Sequence, residues 1–244
     1  MELLEQIIST RPGFHASETE VQRGFEPSES LLSEADARKL ATSGLTCYGI
    51  EEDVLRFIAD NVQMGNKTLE TGAGCSTLVF AIQKTQHVAI TPSETEIGLI
   101  RAYARNNKIG LSSVKFVSES SELYLPRGDE TNLDMVLLDG KHAFPWPVVD
   151  WFFTADKLKR GGLMLLDDAQ MRSVAILSEF MAAEPGWQFV CNFSGKTLVF
   201  RKIRDKVLDV AWHMQPWTFN KSMLENNKSV LKKIGARIGR MLRD

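Results

Sequence analysis

The stretch Leu69-Glu70-Thr71-Gly72-Ala73-Gly74-Cys75-Ser76-Thr77-Leu78 decides how the rest of this chain is read. An apolar run ends in an acid, two glycines follow at alternate positions, and an amphipathic segment opens on two hydroxyl residues. That order describes a strand, a tight turn and a helix start, with glycines that let backbone approach a ligand closely. Glu70 bears on what the ligand is. In dinucleotide sites such a turn offers helix amides to a pyrophosphate. A carboxylate two residues before the first glycine repels a phosphate and attracts a cation.

Outward from the turn, short apolar runs alternate with longer amphipathic stretches as far as Asp168. The runs Lys67–Glu70, His87–Thr91, Val114–Val117, Met135–Asp139 and Leu163–Asp167 read as buried strands. Ser76–Lys84, Ser93–Asn107 and Phe144–Lys159 read as crossover helices, with Ile97, Ile100 and Ala104 at helical spacing. Ser93 and Glu96 form a capping-box start, and Arg160-Gly161-Gly162 is expected to stop the third helix. A helix over Met171–Ala183 and two strands, Trp187–Phe193 and Lys196–Ile203, follow, the strands joined at Ser194-Gly195 as a hairpin. The prediction is an α/β fold: a parallel sheet closed by an antiparallel hairpin, where a dinucleotide-binding domain would continue with parallel strands.

The quoted turn resembles the first motif of class I S-adenosylmethionine-dependent methyltransferases, in particular small-molecule O-methyltransferases, in which a serine often replaces the third glycine. The resemblance extends from about Gly49 to Ile203 and implies a Rossmann-like seven-stranded sheet. It implies S-adenosyl-L-methionine as cofactor, held at Glu70, Thr71, Gly72, Gly74 and Ser76, with Glu70 near the ligand's cationic groups. The family's second strand usually ends in an acid that binds the ribose hydroxyls. Thr91 stands in that place here, so either Thr91 and Ser93 bind the ribose or Glu94 reaches back from the helix start. Ser118 and Glu119 match the segment that holds the adenine.

Two further strands end in acids, Asp139 within Leu138-Asp139-Gly140-Lys141-His142 and Asp167-Asp168 after Leu165-Leu166. Carboxyl ends of strands face the ligand crevice of an open sheet, so the three carboxylates should converge. A divalent cation such as Mg²⁺ is the usual way to hold such a group ionised, which makes Asp139, Asp167 and Asp168 candidate metal ligands; helix capping is the competing role. The Asp-Gly-x-His motif followed by Asp-Asp resembles methyltransferase domain family 24 and the antibiotic-sugar O-methyltransferases. The latter carry an acid two residues after the motif's first aspartate, where this chain has Lys141. The lysine ammonium can take part of the cation's role. Asp139, Lys141 and His142 are the candidate catalytic residues, His142 being the more attractive general base. Asp139 also counts among the cofactor contacts.

The resemblance implies O-methylation of a small hydroxylated molecule, of saccharide or natural-product type, a reaction that needs chiefly alignment and a deprotonated acceptor. Thr91 and Lys141, standing where acids are expected, also suit a methyltransferase-like binding or assembly protein that does not turn over. Phe144 and Trp146, close after His142, are candidates for an acceptor wall.

Composition removes other classes. With 43% hydrophobic and 25% charged residues the chain is neither disordered nor fibrous. Three scattered cysteines, Cys47, Cys75 and Cys191, fit neither a disulfide framework nor a zinc site. The start lacks a signal-peptide pattern and no long apolar run occurs, so a cytoplasmic protein is expected. The domain reading is a helical cap over 1–48, a methyltransferase domain over 49–205 and a basic amphipathic extension over 206–244. Helical patterns at Glu29–Thr42 and Glu51–Asn61 are expected to cover the ligand edge. In Asn227–Arg243, Leu231, Ile234 and Ile238 segregate from Lys232, Lys233 and Arg237, which suits a membrane surface, a second copy of the chain or its own domain. A nucleic-acid partner is not expected, given an acidic body and a net charge of −2.

Overall fold

Seven strands make one sheet in the order β3-β2-β1-β4-β5-β7-β6. In this computed structural model, which describes residues 2–14 and 49–219, they are β1 Lys67–Thr71, β2 Gln86–Ile90, β3 Val114–Val117, β4 Leu133–Leu138, β5 Leu158–Leu166, β6 Trp187–Phe193 and β7 Thr197–Lys202. The first five run parallel, and β7 lies antiparallel between β5 and β6. Strand order reverses between β1 and β4, the switch point at which open sheets of this kind take ligands.

The helices are α1 Glu2–Thr10, α2 Glu52–Asn61, α3 Cys75–Ile82, α4 Glu94–Asn106, α5 Ser121–Tyr124, α6 Trp146–Ala155 and α7 Arg172–Ala183. Alternation along the central strands divides them into two layers. Met135, Leu137, Leu163 and Leu165 face the layer that holds α1, α2, α3 and α4. Val136, Leu138, Met164 and Leu166 face the layer that holds α6 and α7. Burial on both faces is why these strands read as unbroken apolar runs.

Three expectations are corrected here. Lys159 and Arg160-Gly161-Gly162 do not end a helix: α6 stops at Ala155, and these residues belong to β5. The pairing of β4 with β5 shifts register between Leu133 and Met135, and Gly161 supplies the positive φ of 85° that the bulge requires. Second, α1, within the stretch read as a helical cap, packs into the domain: Ile7 and Ile8 are fully buried in the same core as α3. Third, α2 packs in the layer of α3 instead of covering the ligand edge; only its approach, at Gly49, reaches that edge, where Lys196 Nζ donates to the Gly49 carbonyl. The patterns at Glu29–Thr42 and Asn227–Arg243 lie outside the described residues. No described helix is long and apolar enough to cross a membrane.

Candidate active site

The glycine turn is braced from below. Side chains alternate along β1, so Glu70 projects toward α3 while Thr71 projects toward α6. Ser76 Oγ donates to Glu70 Oε2 at 2.6 Å and the Thr77 hydroxyl donates to Oε1. Thr77 Oγ1 in turn accepts from the Gly74 amide at 2.9 Å. His87 Nε2 lies 3.1 Å from the same carboxylate, and Glu70 is 1% exposed. The structure thus places Glu70 beneath the turn, its oxygens accepting from the first turn of α3, so that it shapes the turn. Gly72, at φ 88°, lies against the loop after β4, and Asp139 N–H donates to the Thr71 carbonyl at 3.0 Å. In front of Gly74 there is open space, with no heavy atom within 4 Å of where a side chain would begin.

At the ends of β2 and β3, hydroxyls meet acids. Thr91 Oγ1 donates to Glu96 Oε2 at 2.9 Å, and Ser118 Oγ donates to Glu94 Oε1 at 3.4 Å. The acid beside Thr91 is thus Glu96, not Glu94. Ser93 caps α4 by accepting from the Glu96 amide, which aims the Glu96 side chain back at the strand end, as a capping box does. Glu119 pairs with Arg127, so its carboxylate is held by an arginine at this edge.

The acids after β4 and β5 do converge. His142 Nε2 stands between two of them, 3.1 Å from Asp168 Oδ2 and 3.6 Å from Asp139 Oδ1. The Ser173 hydroxyl, at the start of α7, donates to the His142 carbonyl and pins the loop. Asp168 is fully buried and holds φ 55°, a left-handed conformation that aspartate tolerates better than most residues; its Oδ1 accepts from Gln170 Nε2 at 2.8 Å. Asp167 accepts from the Thr197 hydroxyl and lies 3.5 Å from Lys196 Nζ. Burial, followed by repulsion from Asp167 and Asp168, pushes the Asp139 carboxyl well above its usual range, with Lys196 opposing. Burial also raises Asp167, against the pull of Lys196 and Thr197.

Two expectations about this cluster change. Among the described residues, the group whose donor atoms lie within 4.8 Å of one another is Asp139, His142 and Asp168, whereas Asp167 is occupied by Thr197 and Lys196. An imidazole-containing set next to an ammonium fits Mg²⁺ poorly, because that ion asks for octahedral oxygen ligands. The cation beside the acids is also not Lys141, whose Nζ lies 4.4 Å from the centroid of the Trp146 ring. It is Lys196, which sequence reasoning did not single out. Its position follows from topology: β7 is antiparallel to β5, so the residue just before β7 comes alongside the carboxyl end of β5. Phe144 is 67% exposed and Trp146 half-buried, both beside this loop.

Residues 69–169 match the profile of a methyltransferase domain family. This is the class I methyltransferase fold. A Corynebacterium glutamicum protein is 16% identical with a TM-score of 0.56 over 78% of this chain and 99% of that one. A Staphylococcus aureus protein provisionally named a caffeoyl-CoA O-methyltransferase is 18% identical, with a TM-score of 0.52 over 77% and 93% of the two chains. Cofactor-bound Rv0187 from MTB is 15% identical, with a TM-score of 0.52 over 79% and 100%. No curated protein matches this sequence. Within this fold, the strand ends that gather Thr91, Ser118, Asp139 and Asp168 form the sheet edge at which open α/β sheets take their ligands.

Proposed function

We propose that the protein is an S-adenosylmethionine-dependent methyltransferase acting on an oxygen of a small hydroxylated acceptor, of saccharide or natural-product type. One observation carries this reading: His142 is suspended between Asp139 and Asp168 at the carboxyl edge of the sheet, one loop away from the glycine turn. The chain's own residues fit the cofactor. Gly74 fronts open space, the pairs Thr91 with Glu96 and Ser118 with Glu94 offer hydroxyl and carboxylate groups suited to a nucleoside, and the acid-rich edge suits a cationic sulfonium. When bound, the cofactor supplies a methyl group already activated by its positive sulfur.

The remaining work is acceptor alignment and proton removal. The His142 imidazole takes the acceptor hydroxyl proton on the ring nitrogen not engaged by the acids, and Asp168 and Asp139, which face Nε2, stabilise the imidazolium that results. Ser173 keeps the imidazole loop in place through the His142 carbonyl. Phe144 and Trp146 provide an apolar wall beside the base. No step passes through a metal ion, since the donor set does not suit Mg²⁺.

The test is calorimetric titration of the full chain with S-adenosylmethionine, followed by an acceptor screen with wild type and His142→Gln. Binding by both proteins, with transfer by the wild type alone, supports the assignment. A wild type that does not bind the cofactor overturns it.

A further inference from the structure

We propose that Lys196 is the resident cation of the acid cluster, a positioning residue whose ammonium, set among Asp167, Asp168 and the Gly49 carbonyl, takes up charge that would otherwise call for a divalent ion. Asp139, Asp167 and Asp168 crowd the ends of two neighbouring strands, and carboxylates that close cannot all stay ionised without compensation. His142 compensates between Asp139 and Asp168. Lys196 compensates on the other side: its Nζ lies 3.5 Å from Asp167 Oδ2, 4.0 Å from Asp168 Oδ1 and 4.0 Å from Glu51 Oε1.

Its geometry is built in. The lysine side chain is only 15% exposed, and Nζ also donates to the Gly49 carbonyl at 2.5 Å. Ser194 and Gly195 both take positive φ, 53° and 73°, the signature of a tight hairpin turn of the type I′ kind. Lys196 N–H donates back to the Phe193 carbonyl at 2.9 Å, and the Lys196 carbonyl accepts from Ala169 N–H at 2.7 Å. The backbone is thereby tied both to its own hairpin and to the segment after Asp168, so the ammonium is delivered to the acids by the scaffold. The same contacts join Gly49, at the approach to α2, to the chemical edge.

One consequence follows for cations. A divalent ion entering among Asp139, His142 and Asp168 would meet the Lys196 charge close by, and Asp167 is withheld from it by Lys196 and Thr197. Removing the ammonium while keeping an apolar stem should release Asp167 and turn the cluster into a cation site. This deepens the methyltransferase reading but rests on the cluster alone, so the two are tested separately: cofactor titration tests the former and cation titration the latter.

The experiment titrates the full chain with Mn²⁺ as the probe, followed by paramagnetic resonance, using wild type, Lys196→Met, Lys196→Arg, Asp167→Asn and the double variant Lys196→Met/Asp167→Asn. Expected are weak binding by wild type, tightening of roughly tenfold or more in Lys196→Met, a return to wild-type behaviour in Lys196→Arg, and loss of the gain in the double variant. Lys196→Met binding no tighter than wild type overturns the proposal. Should Lys196→Met fail to fold, Asp167→Asn decides: unchanged Mn²⁺ affinity supports a withheld Asp167, and a marked loss overturns it.

Discussion

A side chain on Gly72 would begin 2.2 Å from the backbone oxygen of Asp139, so the glycine turn and the acid-bearing loop after β4 meet at a residue that has no side chain to spare. The obstacle is backbone, which cannot swing aside as a side chain can, and the φ of 88° adds strain for any other residue. Gly72→Ala should cost about 3 kcal/mol or more, read in urea denaturation, and should weaken S-adenosylmethionine binding. Gly74→Ala is the contrast. It has extended backbone and open space around it, so its stability should stay within about 0.5 kcal/mol of wild type, while cofactor affinity falls because the added methyl occupies the approach. Equal destabilisation by both substitutions would mean that the contact with Asp139 is not what requires Gly72.

His142→Gln should leave cofactor affinity intact and lower the transfer rate by about 10²- to 10⁴-fold, the usual worth of a positioned base. Lys141→Gln should leave the rate close to that of wild type, because Lys141 lies over Trp146 and not among the acids. Single-turnover kinetics at saturating cofactor separates the two. A severe loss in Lys141→Gln with a mild one in His142→Gln would exchange their roles.

Much of this architecture could be read from residue order, and the misreadings have physical causes. Met135–Asp139 and Leu163–Asp167 announced a sheet covered on both faces, since both sets of alternating side chains are apolar. Lys159–Gly162 misled because a strand with a bulge uses the same glycine that a helix stop would use. Glu70 was recognised as the acid at the strand end, but its direction depended on pairing with Ser76 and Thr77, six and seven residues on, across a turn whose shape those bonds help to set. Lys196 carried no motif at all. It is placed by the register of β7 on β5, in which Leu198 pairs with Leu166, and that register cannot be counted from one strand alone. Glu96 was visible as half of the capping box with Ser93, yet its second service, to Thr91, appears only once the end of β2 lies beside the start of α4.

Lys202 is fully buried, and its ammonium donates at 2.8 Å to the carbonyls of Ala155 and Leu158, with Asp156 at 3.5 Å. It closes the end of α6 and the start of β5, where no glycine cap is present. Lys202→Met keeps the stem but leaves two carbonyls without their donor, at about 1–3 kcal/mol for each buried unsatisfied group. A loss of about 2–4 kcal/mol in chemical denaturation is expected. A neutral result would show that water reaches these carbonyls as readily as the lysine does.

Asp150, on α6, is a further acid that resists ionisation, away from the cluster. Burial lifts its carboxyl from 3.8 to about 6, and the hydroxyls of Ser121 and Thr71 pull it down only in part. Its Oδ1 and the Thr71 hydroxyl both lack a well-aligned hydrogen-bond partner. The folded chain therefore takes up this proton at higher pH than the unfolded chain, and the ionised side chain lowers stability at pH 7. That penalty declines as pH falls from about 6 toward 3.8, where the unfolded chain begins to bind the proton as well. Asp150→Asn removes the ionisation and should be more stable than wild type at pH 7 by up to ~3 kcal/mol. The advantage should shrink to almost nothing near pH 4. Denaturation curves of the two proteins across this range give the answer: a gap that stays constant with pH would mean that packing of the amide, and not the buried charge, sets the difference. A variant less stable than wild type at pH 7 would mean that the carboxylate is held by bonds stronger than its burial.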